Sequence, residues 1–187
     1  TPVMLNESIN AMNIIPHGSY LDATFGFGGH SKRILDNLNE NGRLFAIDKD
    51  IDAINMARSD VTADNRFTLK HGCFSDLIRH TKEWGVYGSI NGILFDLGVS
   101  SHHLDEAKRG FSFNKNGIID MRFDQSSGIS ACEWIKDVDE STLSKIIWEF
   151  GEERYSRRIA RAIISQRNKE PIENTNDLTR IIDKAVP

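Results

Sequence analysis

Tyr20-Leu21-Asp22-Ala23-Thr24-Phe25-Gly26-Phe27-Gly28-Gly29-His30-Ser31 is the stretch whose reading decides the fold. Tyr20–Thr24 reads as a short buried strand. The glycines that follow suit a tight turn, and the chain from about His30 to Asn39 reads as a helix. Asn41-Gly42 breaks that helix, and Arg43–Ile47 forms a second apolar run ending at Asp48. Asp50 is placed to cap a helix reaching about Arg58, on which Ile51, Ile54 and Ala57 share a face. A third strand over Arg66–His71 and a helix over Phe74–Trp84 follow. A fourth strand, Asn91–Phe95, ends at Asp96. Strands alternating with helices through short links imply a parallel sheet covered on both faces. The fold class expected is α/β, a doubly wound Rossmann-like core.

The alternation stops after Asp96. From Ser100 to about Ile129 the chain is turn-rich, with Gly110, Gly117 and Gly128 and no sustained period. Helical patterns then cover about Ile129–Phe150, broken near Asp137–Ser141, and Glu152–Arg167. A last helix is expected to start at the caps of Asn174-Thr175-Asn176-Asp177. The expected organisation is a ligand-binding core over 1–104 and a turn-rich, then all-helical subdomain over 105–187. Four strands are few for a doubly wound domain, so the remaining strands of the core are expected to be missing from this chain.

Bulk properties narrow the function classes. Apolar residues make up 39% of the 187 and charged residues 27%, ordinary values for a soluble globular protein. A formal charge of −4 gives no general attraction to nucleic acid, so such binding must come from a local patch. Cys73 and Cys132 stand far apart without CxxC spacing, which argues against a disulfide scaffold and fits a reducing cytoplasm. Apolar runs such as Ile93-Leu94-Phe95 are too short to span a bilayer, and the first residues lack the pattern of a signal peptide.

Four places can carry chemistry. The loop Gly26-Phe27-Gly28-Gly29-His30-Ser31 lets backbone approach a ligand, with helix N–H groups behind it. Ser31 stands where GxGxxG requires glycine, and Gly29-His30-Ser31 lacks the lysine of a Walker loop, so a diphosphate ligand is disfavoured. A nucleoside carrying a carboxylate remains open, beside a plain strand-to-helix turn. Asp48 lies where such folds place a carboxylate on ribose hydroxyls, or it is a solvated turn or cap. Asp96 closes strand four, at the end where open sheets bind ligands, and can accept an amine hydrogen bond or cap the next turn. The strip Arg154, Arg157, Arg158, Arg161, Arg167 and Lys169 has no acidic residue within it. On a continuous helix Arg154, Arg158 and Arg161 would share one face, suited to a phosphate backbone or simply to solvent. Phe111 and Phe113 in the loop after Gly110 can stack bases or pin the loop. His102, His103 and Asp105, with Asp120 and Asp124, match no metal-binding spacing, and no metal is expected.

These stretches together resemble the bacterial small-subunit ribosomal RNA cytosine-N(4) methyltransferases. The resemblance rests on Tyr20 through Ser31, Leu44-Phe-Ala-Ile-Asp48, His71-Gly-Cys-Phe74 and Gly92-Ile-Leu-Phe-Asp-Leu-Gly-Val-Ser-Ser101. It continues through Arg109-Gly-Phe-Ser-Phe113, Asp120-Met-Arg122, Gly151-Glu-Glu-Arg154 and Arg158-Ile-Ala-Arg-Ala-Ile163. It implies S-adenosylmethionine contacts at Gly28, Gly29 and His30, with Asp48 on the ribose, Phe74 beside the adenine and Asp96 at the reacting end. His103 stands where the family often has a glutamine that touches the ligand. Asp96-Leu-Gly-Val99 replaces the (D/N/S)PP(Y/W) motif of other base-amine methyltransferases, so the cytosine would be stacked from elsewhere, Phe111 or Phe113. The implied partner is small-subunit ribosomal RNA or the assembled small subunit, in the cytoplasm. The family interrupts its core after strand four with a helical domain and then completes the sheet. The rival readings are a methyltransferase of DNA or protein, a nucleotide-dependent oxidoreductase, and a non-catalytic RNA-binding module using the arginine strip.

Overall fold

The computed structural model describes residues 2–187, which separate into two compact units at Gly98–Val99. That division falls shortly before the boundary at 104–105 read from the sequence, and it assigns His103 to the second unit.

The first unit is a parallel sheet in the order β3-β2-β1-β4, built from β1 (Ser19–Asp22), β2 (Arg43–Asp48), β3 (Phe67–His71) and β4 (Gly92–Leu94). Successive side chains of a strand point to opposite faces, and two apolar clusters follow from that. Tyr20, Leu44, Ala46 and Leu94 face one way, against Ile9 of helix α1 (Leu5–Met12) and Ile34 and Leu35 of α2 (Gly29–Asn37). Leu21, Ala23, Phe45 and Ile47 face the other, packed by Leu77 of α5 (Leu77–Glu83) and by Trp84. The Trp84 ring stacks on Phe45 at 5.0 Å between centroids. Helices therefore cover both faces, as the alternation of elements implies.

Within this unit three stretches differ from the sequence reading. Helix α1 was not expected, yet Leu5, Ile9 and Met12 lie at i, i+4 and i+7 and close the first cluster. Its start carries no cap signal: Met4 takes a left-handed conformation and its side chain makes no cap hydrogen bond. The helix capped by Asp50 is shorter than predicted, α3 (Ile51–Asn55), and a separate turn, α4 (Ser59–Thr62), brings Val61 into the core with no exposure. The predicted helix at Phe74 begins as a 3₁₀ turn over Phe74–Asp76 before α5.

The second unit is helical: α6 (Ser101–Asp105), α7 (Ala131–Asp137), α8 (Glu140–Gly151), α9 (Ser156–Arg167) and α10 (Thr175–Ala185). The break expected near Asp137–Ser141 exists, and Asp139 caps α8 by accepting from the Thr142 N–H at 2.9 Å. Ile159, Ala160 and Ile163 of α9 anchor a core shared with Leu143 of α8, Ala185 of α10 and Ile119. Helix α6 was missed inside the turn-rich stretch, because its capping box uses His103 where glutamate or glutamine is usual. Arg109 is fully buried and donates to the carbonyls of Arg122 and Phe123 at 3.1 and 3.0 Å, which holds that irregular stretch together.

Candidate functional site

In open parallel sheets ligands bind beyond the carboxyl ends of the strands. All the first-unit candidates are there. Past Asp22 the chain is laced between its neighbours: the Ala23 N–H donates to Leu94 O at 2.9 Å and the Phe25 N–H to Ile47 O at 3.0 Å. It then turns through Gly26 (φ 55°) and Gly28 (φ 75°) into α2. A β-carbon on Gly28 would lie 2.8 Å from the Phe25 ring, so this turn needs glycine for space as well as conformation. No side chain among the described residues caps α2. The N–H groups of its first turn, which have no acceptor within the helix, are thus available to a carboxylate.

Asp48 at the end of β2 accepts from the Gly26 N–H through Oδ2 at 2.7 Å and from the Asp50 N–H through Oδ1 at 2.8 Å. The residue read as a ribose partner is therefore also the clamp that fixes the glycine loop. Each carboxylate oxygen has two lone pairs, so both keep capacity for a hydroxyl. At the end of β4 the Asp96 N–H donates to Thr24 Oγ1 at 2.7 Å, and the half-exposed Asp96 carboxylate lies 3.6 Å from His30 Nδ1. His30 is buried, and its Nε2 has no hydrogen-bond partner among the described residues. Phe74, just past β3, meets Phe95 edge to face at 5.8 Å, and both rings are about half exposed. The glycine loop, the Asp48 carboxylate, two apolar rings and the Asp96 carboxylate thus line a single edge of the sheet.

Sequence reasoning missed Asp22, Thr24 and Ser31. Asp22 is fully buried, accepts from Ser31 Oγ at 2.7 Å and from the Thr24 N–H at 3.1 Å. The available signal was a carboxylate inside a buried strand with a hydroxyl nine residues on, at the first turn of the next helix. Burial pushes the Asp22 carboxyl up from 3.8 to about 6, against the opposing pull of Ser31 and Thr24. Between those values the folded chain holds a proton that the unfolded chain has released. Stability is therefore expected to fall as pH rises through that window, by up to about 3 kcal/mol. Chemical denaturation at pH 4 and pH 7 checks this, and Asp22→Asn should flatten the difference.

In the second unit, His103 Nδ1 accepts from the Ser100 N–H at 2.9 Å, and its ring packs against Phe111 and Phe123 at 5.1 and 4.9 Å. Phe111 belongs to that aromatic cluster, whereas Phe113 is 73% exposed. The arginine strip is not one helical face. Arg154 precedes α9 and lies over the Tyr155 ring at 4.6 Å, with Arg158 over the same ring at 5.5 Å. Arg161 approaches Glu140 at 3.5 Å, and Arg167 donates to the carbonyls of Ile135 and Val138 at 2.6 Å each, so it holds α7 rather than facing a ligand. No group of three or more His, Cys, Asp or Glu side chains that could hold a metal ion occurs among the described residues. Nor, among them, is any helix long and apolar enough to cross a membrane.

Parallel strands in this order, a glycine loop after the first and a carboxylate ending the second define a Rossmann-like α/β protein of the methyltransferase type. The chain belongs to the MraW methylase family, whose sequence profile matches residues 1–187. It is 49% identical over 185 residues to ribosomal RNA small subunit methyltransferase H of Alteromonas mediterranea, covering 99% of this chain and 59% of that protein. The protein of the same name from Hydrogenovibrio crunogenus is 48% identical over 186 residues, covering 100% of this chain and 59% of that one. The Blochmanniella pennsylvanica protein of that name is 45% identical over 185 residues, covering 99% and 56%. The chain thus spans under three fifths of the length of the curated relatives it matches.

Proposed function

We propose that the protein transfers a methyl group from S-adenosylmethionine to the exocyclic amine of a cytidine in the decoding region of small-subunit ribosomal RNA. What carries this reading is the set of groups gathered at the strand ends in a chain of a methylase family. They fit the cofactor group by group. The first-turn N–H groups of Gly29 and His30 suit its carboxylate, while the Gly28 N–H is taken by Phe25 O at 2.8 Å and Gly28 serves by its turn; the Asp48 oxygens suit a ribose diol, and Phe74 suits the adenine face. The buried, unpartnered His30 Nε2 is a polar atom for which the described residues offer no partner.

S-adenosylmethionine supplies a methyl on a sulfonium, an electrophile that needs neither a metal nor a covalent enzyme intermediate. The chain's own task is placement, which carries much of the rate when two reacting atoms must lie in line. The lone pair of an aromatic amine is delocalised into the ring. Asp96, half exposed and carrying a free carboxylate edge, accepts a hydrogen bond from that amine, orients its lone pair, and takes up the proton it sheds. A base in folded RNA must be splayed out to reach such a site. Phe113, exposed, and the Tyr155 stack of Arg154 and Arg158 with Arg161 are the second-unit groups suited to RNA. On this reading the protein works in the cytoplasm on ribosomal RNA or the assembled small subunit.

The test is methyl transfer by the full-length protein to isolated small subunits, with the modified nucleotide mapped by mass spectrometry. Label on one decoding-region cytidine at N4 is expected. Transfer to duplex DNA or to protein instead, or to no substrate at all, would overturn the proposal.

A further inference from the structure

The parallel register of β1 and β4 pairs Tyr20 with Gly92, Leu21 with Ile93 and Asp22 with Leu94. Continued by two residues it sets Thr24 opposite Asp96. No backbone pairing reaches that point, because β1 ends at Asp22 and the chain turns away through Gly26. The Thr24 hydroxyl takes the place of the missing carbonyl and accepts the Asp96 N–H at 2.7 Å. Thr24 is itself fixed, since its N–H donates to Asp22 Oδ1 at 3.1 Å. The other oxygen of Asp22 holds Ser31 Oγ in the first turn of α2 at 2.7 Å. One buried carboxylate therefore ties together the helix end that faces a cofactor and the strand end that carries the acceptor.

We propose that Thr24, held by Asp22, is a positioning residue for methyl transfer, setting where the Asp96 carboxylate stands relative to the glycine loop. The inference rests on the function proposed above. Thr24 acts by giving the Asp96 backbone one additional rung of sheet, so that the carboxylate is presented from fixed rather than fraying chain. Asp96 is half exposed, so water can satisfy its N–H if the hydroxyl is lost. The cost should then appear in geometry rather than in folding. A misplacement of this kind lowers kcat while leaving ground-state binding nearly intact.

The experiment compares Thr24→Val and Thr24→Ser with the wild-type full-length protein. It measures kcat and KM on isolated small subunits, affinity for S-adenosylhomocysteine by calorimetry, and thermal stability. Thr24→Val is expected to lower kcat about tenfold, with S-adenosylhomocysteine affinity changed less than threefold; Thr24→Ser, which keeps the acceptor, should restore most of kcat. If Thr24→Val does not fold, Thr24→Cys against Thr24→Ser gives the same comparison, since a thiol is a poor acceptor of similar size. An unchanged kcat in Thr24→Val or Thr24→Cys, or a Ser variant as slow as either, overturns the inference. So does a loss explained wholly by weaker cofactor binding. Wild-type protein that methylates no ribosomal substrate refutes the underlying function instead, and the two failures are thereby distinguished.

Discussion

Replacing Asp96 by asparagine is expected to cut kcat for methyl transfer by about 10²–10³-fold, the lower part of the roughly 10²–10⁴-fold that a positioned proton acceptor contributes. The substitution keeps shape and one acceptor oxygen, and the backbone N–H that binds Thr24 Oγ1 is untouched. What is lost is the negative charge that draws an amine hydrogen and receives its proton. The charge also faces His30 Nδ1 at 3.6 Å, too long for a hydrogen bond, so the variant breaks no strong internal contact. Folding and S-adenosylhomocysteine affinity should change little. Single-turnover rates on small subunits check the effect, and a variant with at least a third of wild-type kcat would reduce Asp96 to a structural residue.

The second large effect is expected at Gly28. Its φ of 75° disfavours any side chain, most of all a β-branched one. A β-carbon there would sit 2.8 Å from Phe25 Cζ, and Phe25 is a buried member of the first core cluster. Gly28→Val therefore combines backbone strain of about 1–3 kcal/mol with overpacking of about 1–3 kcal/mol. Relief is available only by shifting the loop, which moves the first-turn N–H groups of α2. S-adenosylhomocysteine affinity should fall at least tenfold, with a clear drop in melting temperature. Gly26 provides the contrast: its φ is 55°, but a β-carbon meets nothing within 4 Å. Gly26→Ala should thus cost only about 1–2 kcal/mol. Equal losses at both positions would show that the Phe25 contact is irrelevant.

The order of elements and the glycine loop were legible because they are local: apolar runs of strand length, glycine punctuation and an acid at each strand end lie within short windows. Asp48 was found for one reason and turned out to have a second. Its distance from the loop suggested a sugar partner, while its bond to the Gly26 N–H depends on how β2 sits beside β1. Thr24 was invisible for the same cause. Thr24 matters only because the β1–β4 register sets it opposite Asp96, and register is a tertiary property. Arg154 was misplaced because helical spacing was extended through Glu152–Tyr155, where the chain instead leaves α8 through a left-handed Glu152. His103, singled out for a ligand contact, also closes a helix cap and joins an aromatic cluster, neither of which its sequence spacing announces.

The central claim is that this sheet edge holds S-adenosylmethionine, with Asp48 serving both the loop and the ribose. Calorimetry on the full-length protein tests it most directly, titrating S-adenosylhomocysteine and NAD separately into wild type and Asp48→Ala. One-to-one binding of S-adenosylhomocysteine, weakened at least tenfold by Asp48→Ala, and no heat from NAD is the predicted result. Binding of NAD, or S-adenosylhomocysteine affinity indifferent to Asp48→Ala, would contradict it.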